Sequence, residues 1–480
     1  DFNPNNDHSL YTFRQLDIDD LKPNQKLILY VMNKFSELKY KRYNDCCYES
    51  IYTSEGHDTF AWKKVDTVSK VIYKLLSKSC NMNMFLLSIQ SKDSCKFVTD
   101  HMLKLHDSTF PDLIKDRHVF SFKNGIYITK FWDTDKWTDK FYHYGDSNIP
   151  GNLTSCKYFN VNLEFPHEKD ASKIKTPLLD KILKYQNLSE DVITWNKVYL
   201  GRLLYDNAEL DNWQTIMFYL GQGGTGKSTI NNDIAKQFYD PNDVAIMSNN
   251  IQRKFGLSDI YDKFLFIAPE IKKDWCLEQA EFQEIVSGGD LNINIKYKQS
   301  ETKKWTTPGL MGGNENPDFI DNSGSVKRRI VVTRFDKKVK QGDAMLAKKL
   351  QLELPNIIKQ CNLRYQEYVR IVGDDVVWEH LPEYFKETQA LMADSTNTLS
   401  NFMNSGKLRF GEDLFMSKKM FTDSYNLHCV ENNFKKSKMT IDFLNSYFED
   451  FNISQTDSNH VMRYNGTSIR GVFLLGVDLQ

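Results

Sequence analysis

Several features are scarce or missing in this sequence of 480 residues. No apolar run approaches the roughly 18 residues needed to cross a bilayer, so the sequence predicts no membrane-spanning helix. The eight cysteines are scattered and form no C-x-x-C pair, which argues against a zinc site. The formal net charge is −1, so contact with nucleic acid would have to come from local charged patches. The chain begins at Asp1, and we expect it to be part of a longer protein.

The sequence does contain a phosphate-binding pattern near its middle. Residues 221–228 read GQGGTGKS and match G-x-x-x-x-G-K-[ST] at every fixed position. The apolar segment 213–220 (WQTIMFYL) predicts a buried strand, and 228–238 (STINNDIAKQF) predicts a helix. A glycine-rich turn between a strand and a helix aims backbone N–H groups and the helix dipole at one point, which suits a polyphosphate.

This pattern assigns roles to individual residues. We expect Lys227 to reach the β- and γ-phosphates of ATP and Ser228 to ligate Mg²⁺. The predicted nucleotide-binding residues are those of the loop and the start of its helix: Gly221, Gln222, Gly223, Gly224, Thr225, Gly226, Lys227, Ser228 and Thr229. Such a loop occurs in kinases, GTPases, motors and helicases, so the residues after it are needed to distinguish these classes.

Two segments after the loop place polar side chains near predicted strand ends. The segment 261–267 (YDKFLFI) predicts a strand leading to Glu270, a candidate for the Mg²⁺ shell or for polarising the attacking water. The segment 308–313 (PGLMGG) predicts another strand, and Asn314 at its end could bind both a water and the γ-phosphate. Two adjacent acids usually share the tasks given to Glu270, but Pro269 precedes it, so the general base stays open.

Cationic side chains follow in two places. A predicted helix at 277–286 and a Gly-Gly-Asp motif precede an alternating segment, 291–307, that predicts a β-hairpin. Four lysines are expected near the hairpin tip, where they would contact DNA phosphates: Lys296, Lys298, Lys303 and Lys304. Arg328 and Arg329 precede a last predicted strand, and either could neutralise charge in a neighbouring subunit's site. A solvated hairpin and a plain surface patch are the alternatives.

The N-terminal region mixes helical and strand patterns. Segments 23–38 and 64–79 have helical periodicity, and Asn124-Gly125 lies between two alternating apolar runs, the sequence preference of a type I′ hairpin turn. Trp132 and Trp137 follow in a polar stretch. We expect these tryptophans in the core of a small domain, with a base-stacking platform as the alternative.

The C-terminal region predicts a small module of its own. Two predicted helices, 415–431 and 438–448, precede a hairpin around Asn465-Gly466, which is the element order of a winged-helix module; a protein-interaction domain is the alternative. We therefore predict an α/β fold in five parts: an N-terminal α+β domain (1–150), a helical collar (151–205), an AAA+-like P-loop core (206–345), a helical connector (346–395) and a C-terminal winged-helix-like module (396–480).

The order of these motifs resembles the superfamily 3 helicases of DNA viruses. The segment 198–229, the FKNGIY segment at 122–127 and the C-terminal region resemble the primase–helicases of poxviruses and African swine fever virus. The resemblance implies a homohexameric AAA+-like ring that hydrolyses ATP and translocates 3′-to-5′ on single-stranded DNA. It also implies a primase module N-terminal to this chain, other viral replication proteins as partners, no membrane, and a replication site in the host cytoplasm.

The same resemblance carries residue roles onto matching positions. It implies that Lys227 and Ser228 are the P-loop pair and that Glu270 is the metal-site acid. Asn314 would be the polar sensor of the γ-phosphate. Lys296 and Lys298 would lie on the DNA-contacting hairpin, and Arg328 or Arg329 would be the arginine finger.

Two other interpretations also fit the sequence. The first keeps the ATPase but makes it an initiator or packaging motor on duplex DNA, which the winged-helix-like module permits. The second is a non-catalytic ring scaffold stabilised by nucleotide, suggested by the single acid at Glu270. Strand displacement distinguishes the first from a helicase, and ATP turnover distinguishes the second.

Overall fold

The structure is a computed structural model that describes most of the chain. The described residues are 21–77, 82–90, 93–104, 108–248, 256–272, 277–294, 300–315, 325–396, 398–432, 448, 451–458, 460–464 and 467–480. The chain divides into two compact units, one of residues 1–175 with 355–359 and one of 176–354 with 360–480. None of the described helices is long and apolar enough to cross a membrane. The five-part division stays a prediction.

The described residues of the first unit form four α-helices and two sheets. Its helices are α1 Pro23–Glu37, α2 Val68–Ser77, α3 Met82–Ile89 and α4 Ser94–Lys104. Its strands are β1 Lys41–Tyr43, β2 Cys46–Tyr52, β3 Asp58–Thr67, β4 Asp116–Phe122, β5 Gly125–Asp133, β6 Lys136–His143 and β7 Ser155–Phe159. One sheet has the order β1-β2-β3 and the other β6-β5-β4-β7. The predicted helix at 23–38 is confirmed, whereas the first residues of 64–79 belong to strand β3, because pairing with β2 outweighs the local helical pattern.

The predicted hairpin is present, but its turn lies one residue earlier than expected. Phe122 pairs with Gly125, which leaves Lys123 and Asn124 as the two turn residues. A Cβ atom at Gly125 would lie 2.2 Å from the carbonyl oxygen of Tyr142. The glycine is therefore required for close strand packing, not for a type I′ turn.

The expectation that Trp132 and Trp137 lie in a core is wrong. Their side chains are 53% and 36% exposed. Strand β4 pairs with β5 only as far as Ile128, so the outer end of the β5–β6 hairpin extends beyond the part of β5 that β4 covers. The small core beside this sheet is formed nearer its centre by Val119, Ile126, Ile128 and Tyr142.

The second unit is larger and is centred on a parallel sheet. Its helices are α5 Pro177–Tyr185, α6 Glu190–Arg202, α7 Gln279–Ser287, α8 Leu346–Val372, α9 Val377–His380, α10 Glu383–Thr396, α11 Thr398–Met403 and α12 Lys418–Glu431. Its strands are β8 Ile216–Leu220, β9 Val244–Ile246, β10 Leu265–Ile271, β11 Asp290–Ile293, β12 Glu301–Lys304, β13 Gly309–Gly313, β14 Ile330–Arg334, β15 Leu408–Ser417, β16 Ser454–Gln455, β17 His460–Tyr464, β18 Thr467–Gly471 and β19 Phe473–Leu479.

The central sheet has the order β14-β8-β13-β10-β9, and all its strand pairs are parallel. Strand β8 is buried on both faces, as its continuous apolar run predicts. The connection after β8 runs to the far edge at β9, and the later connections return in the opposite direction through β10 and β13 to β14. Such a reversal of winding creates a crevice at the carboxyl ends of the strands, which is where ligands bind in open α/β sheets.

The helix predicted after the glycine-rich loop is present in an unusual form. A π-helical turn at Thr229–Ile234 continues into a 3₁₀ turn at Ala235–Phe238. The side chain of Asn231 is buried on this turn, and a Cβ atom at Gly312 would lie 2.4 Å from its Nδ2 atom. The glycine of β13 therefore makes room for a polar side chain beneath the loop.

The C-terminal part of the second unit contains two strands that were not predicted, β15 and β16, and both pair with β19. The helix predicted at 415–431 begins only at Lys418, because the residues before it pair with β19 as strand β15. Ser417 caps this helix through its side-chain oxygen. The helix predicted at 438–448 falls almost entirely outside the described residues, as does the Asn465-Gly466 turn. The flanking strands β17 and β18 pair antiparallel, so the hairpin itself is confirmed.

Candidate nucleotide-binding site

The glycine-rich loop follows β8 at the point where the winding of the sheet reverses. A Cβ atom at Gly221 would lie 2.1 Å from the carbonyl oxygen of Phe335, so only glycine fits there. Gly224 and Gly226 have φ angles of +79° and +100°, which favour glycine. No described atom outside the adjoining residues lies within 4 Å of a Cβ placed at Gly223, so the top of the loop is open. The glycines thus bend the loop and leave its backbone accessible.

The ammonium group of Lys227 is folded onto its own loop. It donates hydrogen bonds to the carbonyl oxygens of Gly221 and Gln222 and to Oδ1 of Asn314, the last at 3.1 Å. These three acceptors match the three N–H donors of a lysine. Burial lowers the pKa of Lys227, and the carboxylate of Glu270 acts in the opposite direction. The ammonium group is therefore held at the loop by three hydrogen bonds, and a phosphate oxygen could take the place of one of their acceptors.

The ends of three neighbouring parallel strands bring the predicted polar residues to one edge of the sheet. Strand β10 carries Glu270 near its carboxyl end, β13 leads directly to Asn314, and β8 leads to the loop. The side chains of Glu270, Asn314 and Ser228 are exposed. Hydroxyl and carboxylate oxygens are ligands that Mg²⁺ accepts, usually together with waters and phosphate oxygens. The open loop, one cation and these oxygens fit a magnesium nucleotide.

A residue that the sequence did not single out supports the loop from behind. Gln186, at the end of α5, donates from Nε2 to the carbonyl oxygens of Thr225 and Lys337, each at 3.0 Å. Its Oε1 accepts from the backbone N–H of Lys337 at 2.9 Å. The N–H of Val339 also bonds to the carbonyl oxygen of Gly224 at 2.9 Å. No local pattern marks Gln186, because its partners are 39 and 151 residues away.

The two adjacent arginines occupy different environments. Both lie on a 3₁₀ turn, Lys327–Arg329, immediately before β14. Arg329 is buried and donates from Nη1 to the carbonyl oxygen of Ser325 at 2.7 Å. The side chain of Arg328 is exposed, while its backbone oxygen accepts a hydrogen bond from Nε1 of Trp378. Of the two, Arg328 is the one that presents its guanidinium group to solvent.

The predicted lysine hairpin is present, but two of its lysines are not at the tip. Strands β11 and β12 pair antiparallel, with Lys304 opposite Asp290, the first residue of β11, and Lys303 next to it. This register places Lys303 and Lys304 at the base of the hairpin, so the expected tip position is wrong for both. Lys296 and Lys298 lie outside the described residues.

The chain is similar to one protein family and to a set of solved structures. A family model described as "Family of unknown function (DUF5906)" matches residues 219–329, from the end of β8 to the arginine pair. No curated protein matches the chain. The A form apo structure of the NrS-1 C-terminal region is 11% identical, with 94% of this chain and 99% of that chain covered, at a TM-score of 0.39. A further apo structure of that region has 11% identity, the same coverages and a TM-score of 0.37. TM-scores of this size do not establish a shared fold.

Proposed function

We propose that this chain is the helicase part of a viral primase–helicase: a homohexameric, ATP-dependent DNA helicase that moves along single-stranded DNA. The observation that carries the proposal is the hydrogen bond from Nζ of Lys227 to Oδ1 of Asn314. It joins the loop that follows β8 to the residue that follows the adjacent strand β13. The cation suited to holding a γ-phosphate is thus already in contact with an amide suited to sensing it.

Different side chains and backbone groups of this chain serve different parts of ATP hydrolysis. The loop N–H groups and Lys227 hold the phosphates, and Ser228 with Glu270 holds Mg²⁺. The bound metal ion would neutralise charge that develops on the phosphate oxygens. Glu270 is exposed at a strand end, where it can orient a water molecule or accept its proton. Asn314, once released from Lys227, can donate to or accept from that water.

The exposure of Arg328 favours it as the arginine finger. A finger has to reach a nucleotide held by a neighbouring subunit, so its guanidinium group must be available at the surface. Arg328 meets this requirement, whereas Arg329 is buried and donates to the backbone oxygen of Ser325. This assignment requires an oligomer in which the next subunit completes each site, and the homohexamer is the form that the resemblance to superfamily 3 helicases implies.

DNA contact is assigned to the hairpin between β11 and β12. We place Lys296 and Lys298 against the phosphate backbone, with Lys303 and Lys304 at the base in a lesser role. The primase module would precede this chain in the full-length protein. The partners would be other viral replication proteins, at a replication site in the host cytoplasm.

Strand displacement on forked DNA tests the helicase assignment against its closest rival. A helicase separates a fork with a single-stranded tail only when ATP is present. A duplex motor instead moves along blunt duplex without separating the strands, and displacement of a triplex-forming third strand would detect that movement. A protein that hydrolyses ATP only on duplex and separates no strands would contradict the proposal. A protein that binds ATP without turnover would be the ring scaffold.

A further inference from the structure

The outer end of the β5–β6 hairpin places two tryptophans at the protein surface. Trp132 and Trp137 are cross-strand partners whose ring centroids are 4.9 Å apart, with an interplanar angle of 72°. They are 53% and 36% exposed. Leaving such large rings in water is unfavourable, since aromatic side chains contribute most when they are buried. This end of the hairpin is therefore a candidate binding surface.

A lysine lies against one of the rings. Nζ of Lys130 is 4.5 Å from the centroid of the Trp137 ring, within the range of a cation–π contact. The pairing register of β5 and β6 shifts between Ile128 and Phe131, so the contact itself, and not strand alternation, places Lys130 beside the tryptophan pair. The surface consists of two aromatic rings with one cation packed against them.

The charges around this surface are balanced. At the hairpin end Asp133 is directly opposite Lys136. Asp139, further along β6, accepts hydrogen bonds from both Lys169 and Lys359. A polyanion would find no strong positive field here. A ligand of this surface would be recognised by its planar rings rather than by its phosphates.

The size of the surface argues against a protein partner. Two partly exposed tryptophans offer about 200 Å² of ring surface, whereas a standard protein interface buries roughly 800 Å² on each side. A nucleic-acid base is planar and stacks on aromatic side chains with little dependence on its identity. Only unpaired bases have both faces free to do so.

We propose that Trp132 and Trp137 form a base-stacking site for single-stranded DNA, separate from the lysine hairpin. The choice of DNA rests on the proposed helicase function. The site contributes affinity through stacking, so its contribution does not depend on salt. The lysine contacts, in contrast, release counterions and make binding weaker as salt rises.

The test compares four proteins in binding a fluorescein-labelled oligo(dT): the parent, W132A/W137A, W132F/W137F and Tyr73→Ala. Tyr73 on α2 is 66% exposed and controls for loss of an exposed aromatic ring. The alanine pair should bind about tenfold or more weakly, the phenylalanine pair within about threefold of the parent, and Tyr73→Ala like the parent. The slope of log affinity against log salt should be the same in all four.

Unlabelled oligo(dT) gives a second measurement. It should quench the tryptophan emission of the parent, and most of that quenching should vanish in W132F/W137F although the DNA still binds. The inference is overturned if W132A/W137A binds like the parent, if its salt slope falls, or if light scattering shows that it changes oligomeric state. Basal ATPase should be unchanged in every variant. If the parent protein has no ATPase activity, the proposed function is refuted. If the parent does not bind DNA, both the proposed function and the base-stacking site are refuted.

Discussion

Lys227 and Asn314 are 87 residues apart in the sequence, yet Nζ of the lysine lies 3.1 Å from Oδ1 of the asparagine. The two residues meet because β8 and β13 are adjacent parallel strands that end at the same edge of the sheet. Any phosphate that binds the loop has to compete with this amide for the ammonium group. Nucleotide binding is thereby coupled to the side chain that we assign to sensing.

Replacing Asn314 should therefore separate binding from hydrolysis. Asn314→Ala removes the competing acceptor, so ATP affinity should be retained while hydrolysis falls by roughly 10²–10³, the usual cost of one oriented polar group. Asn314→Asp places a carboxylate against Lys227 and the phosphates, so ATP affinity should fall about tenfold or more. Titration with a fluorescent ATP analogue and a single-turnover assay measure the two effects. Equal ATP affinities in both variants would exclude this coupling.

Glu270→Gln should bind ATP but hydrolyse it far more slowly, because the amide keeps the shape of the side chain without its charge. Binding of Mg²⁺-ATP and the rate of phosphate release measure the two properties. Normal hydrolysis would mean that another acidic side chain holds Mg²⁺ or activates the water. Asp274, which lies outside the described residues, and Glu278, the residue before α7, would be the next to replace.

The two arginines should differ when replaced one at a time. Arg328→Ala should bind ATP and lose hydrolysis by about 10³ or more, as expected for an arginine finger. Arg329→Ala should mainly lower the melting temperature, since it removes a buried side chain bonded to Ser325. Mixing Arg328→Ala with Lys227→Ala protein should restore some activity, because a mixed ring pairs an intact loop with an intact finger. Failure of rescue at every mixing ratio would mean that Arg328 does not act between subunits.

Replacing the hairpin lysines should impair translocation along DNA and leave ATP hydrolysis itself intact. The double variant Lys296→Ala, Lys298→Ala should keep its basal ATPase but lose stimulation by DNA and strand separation. The salt slope of single-strand binding should decrease by about 0.7 for each lost phosphate contact. Lys303→Ala is the comparison variant and should have a smaller effect, since Lys303 lies at the base of the hairpin and forms an ion pair with Glu301 at 2.7 Å. If the double variant unwinds DNA like the parent, other residues of the protein must contact the DNA.

Strands β8, β10, β13 and β14 of the central sheet were predictable because they are encoded locally. Each is a short apolar run followed by a glycine-rich or polar segment, and each appears with at least one end shifted. The three-residue edge strand β9 was not predicted, because it is too short to stand out as an apolar run. For example, the strand predicted at 261–267 runs from Leu265 to Ile271. Glu270 therefore lies within the strand near its end, and not after it. Parallel strands read as continuous apolar runs, which makes them recognisable without partners.

Features that depend on pairing between distant segments were not predictable. The position of Lys303 and Lys304 follows from the register of β11 and β12, and a shift of register is invisible in the sequence alone. The exposure of Trp132 follows from where β4 stops pairing. The support of the loop by Gln186 needs contacts across 151 residues. In each case the deciding partner lies outside the local pattern.

The rate of ATP hydrolysis with saturating single-stranded DNA, measured for the parent and for Lys227→Ala, tests most directly whether the glycine-rich loop works in a DNA-dependent ATPase. The loop backbone would still hold the fold of the site, but the ammonium group that stabilises the phosphates would be gone. We predict DNA-stimulated hydrolysis by the parent and a loss of roughly 10²–10³ in the variant, with the melting temperature little changed. Near-normal hydrolysis by Lys227→Ala, or no hydrolysis by the parent under any DNA condition, would contradict this prediction.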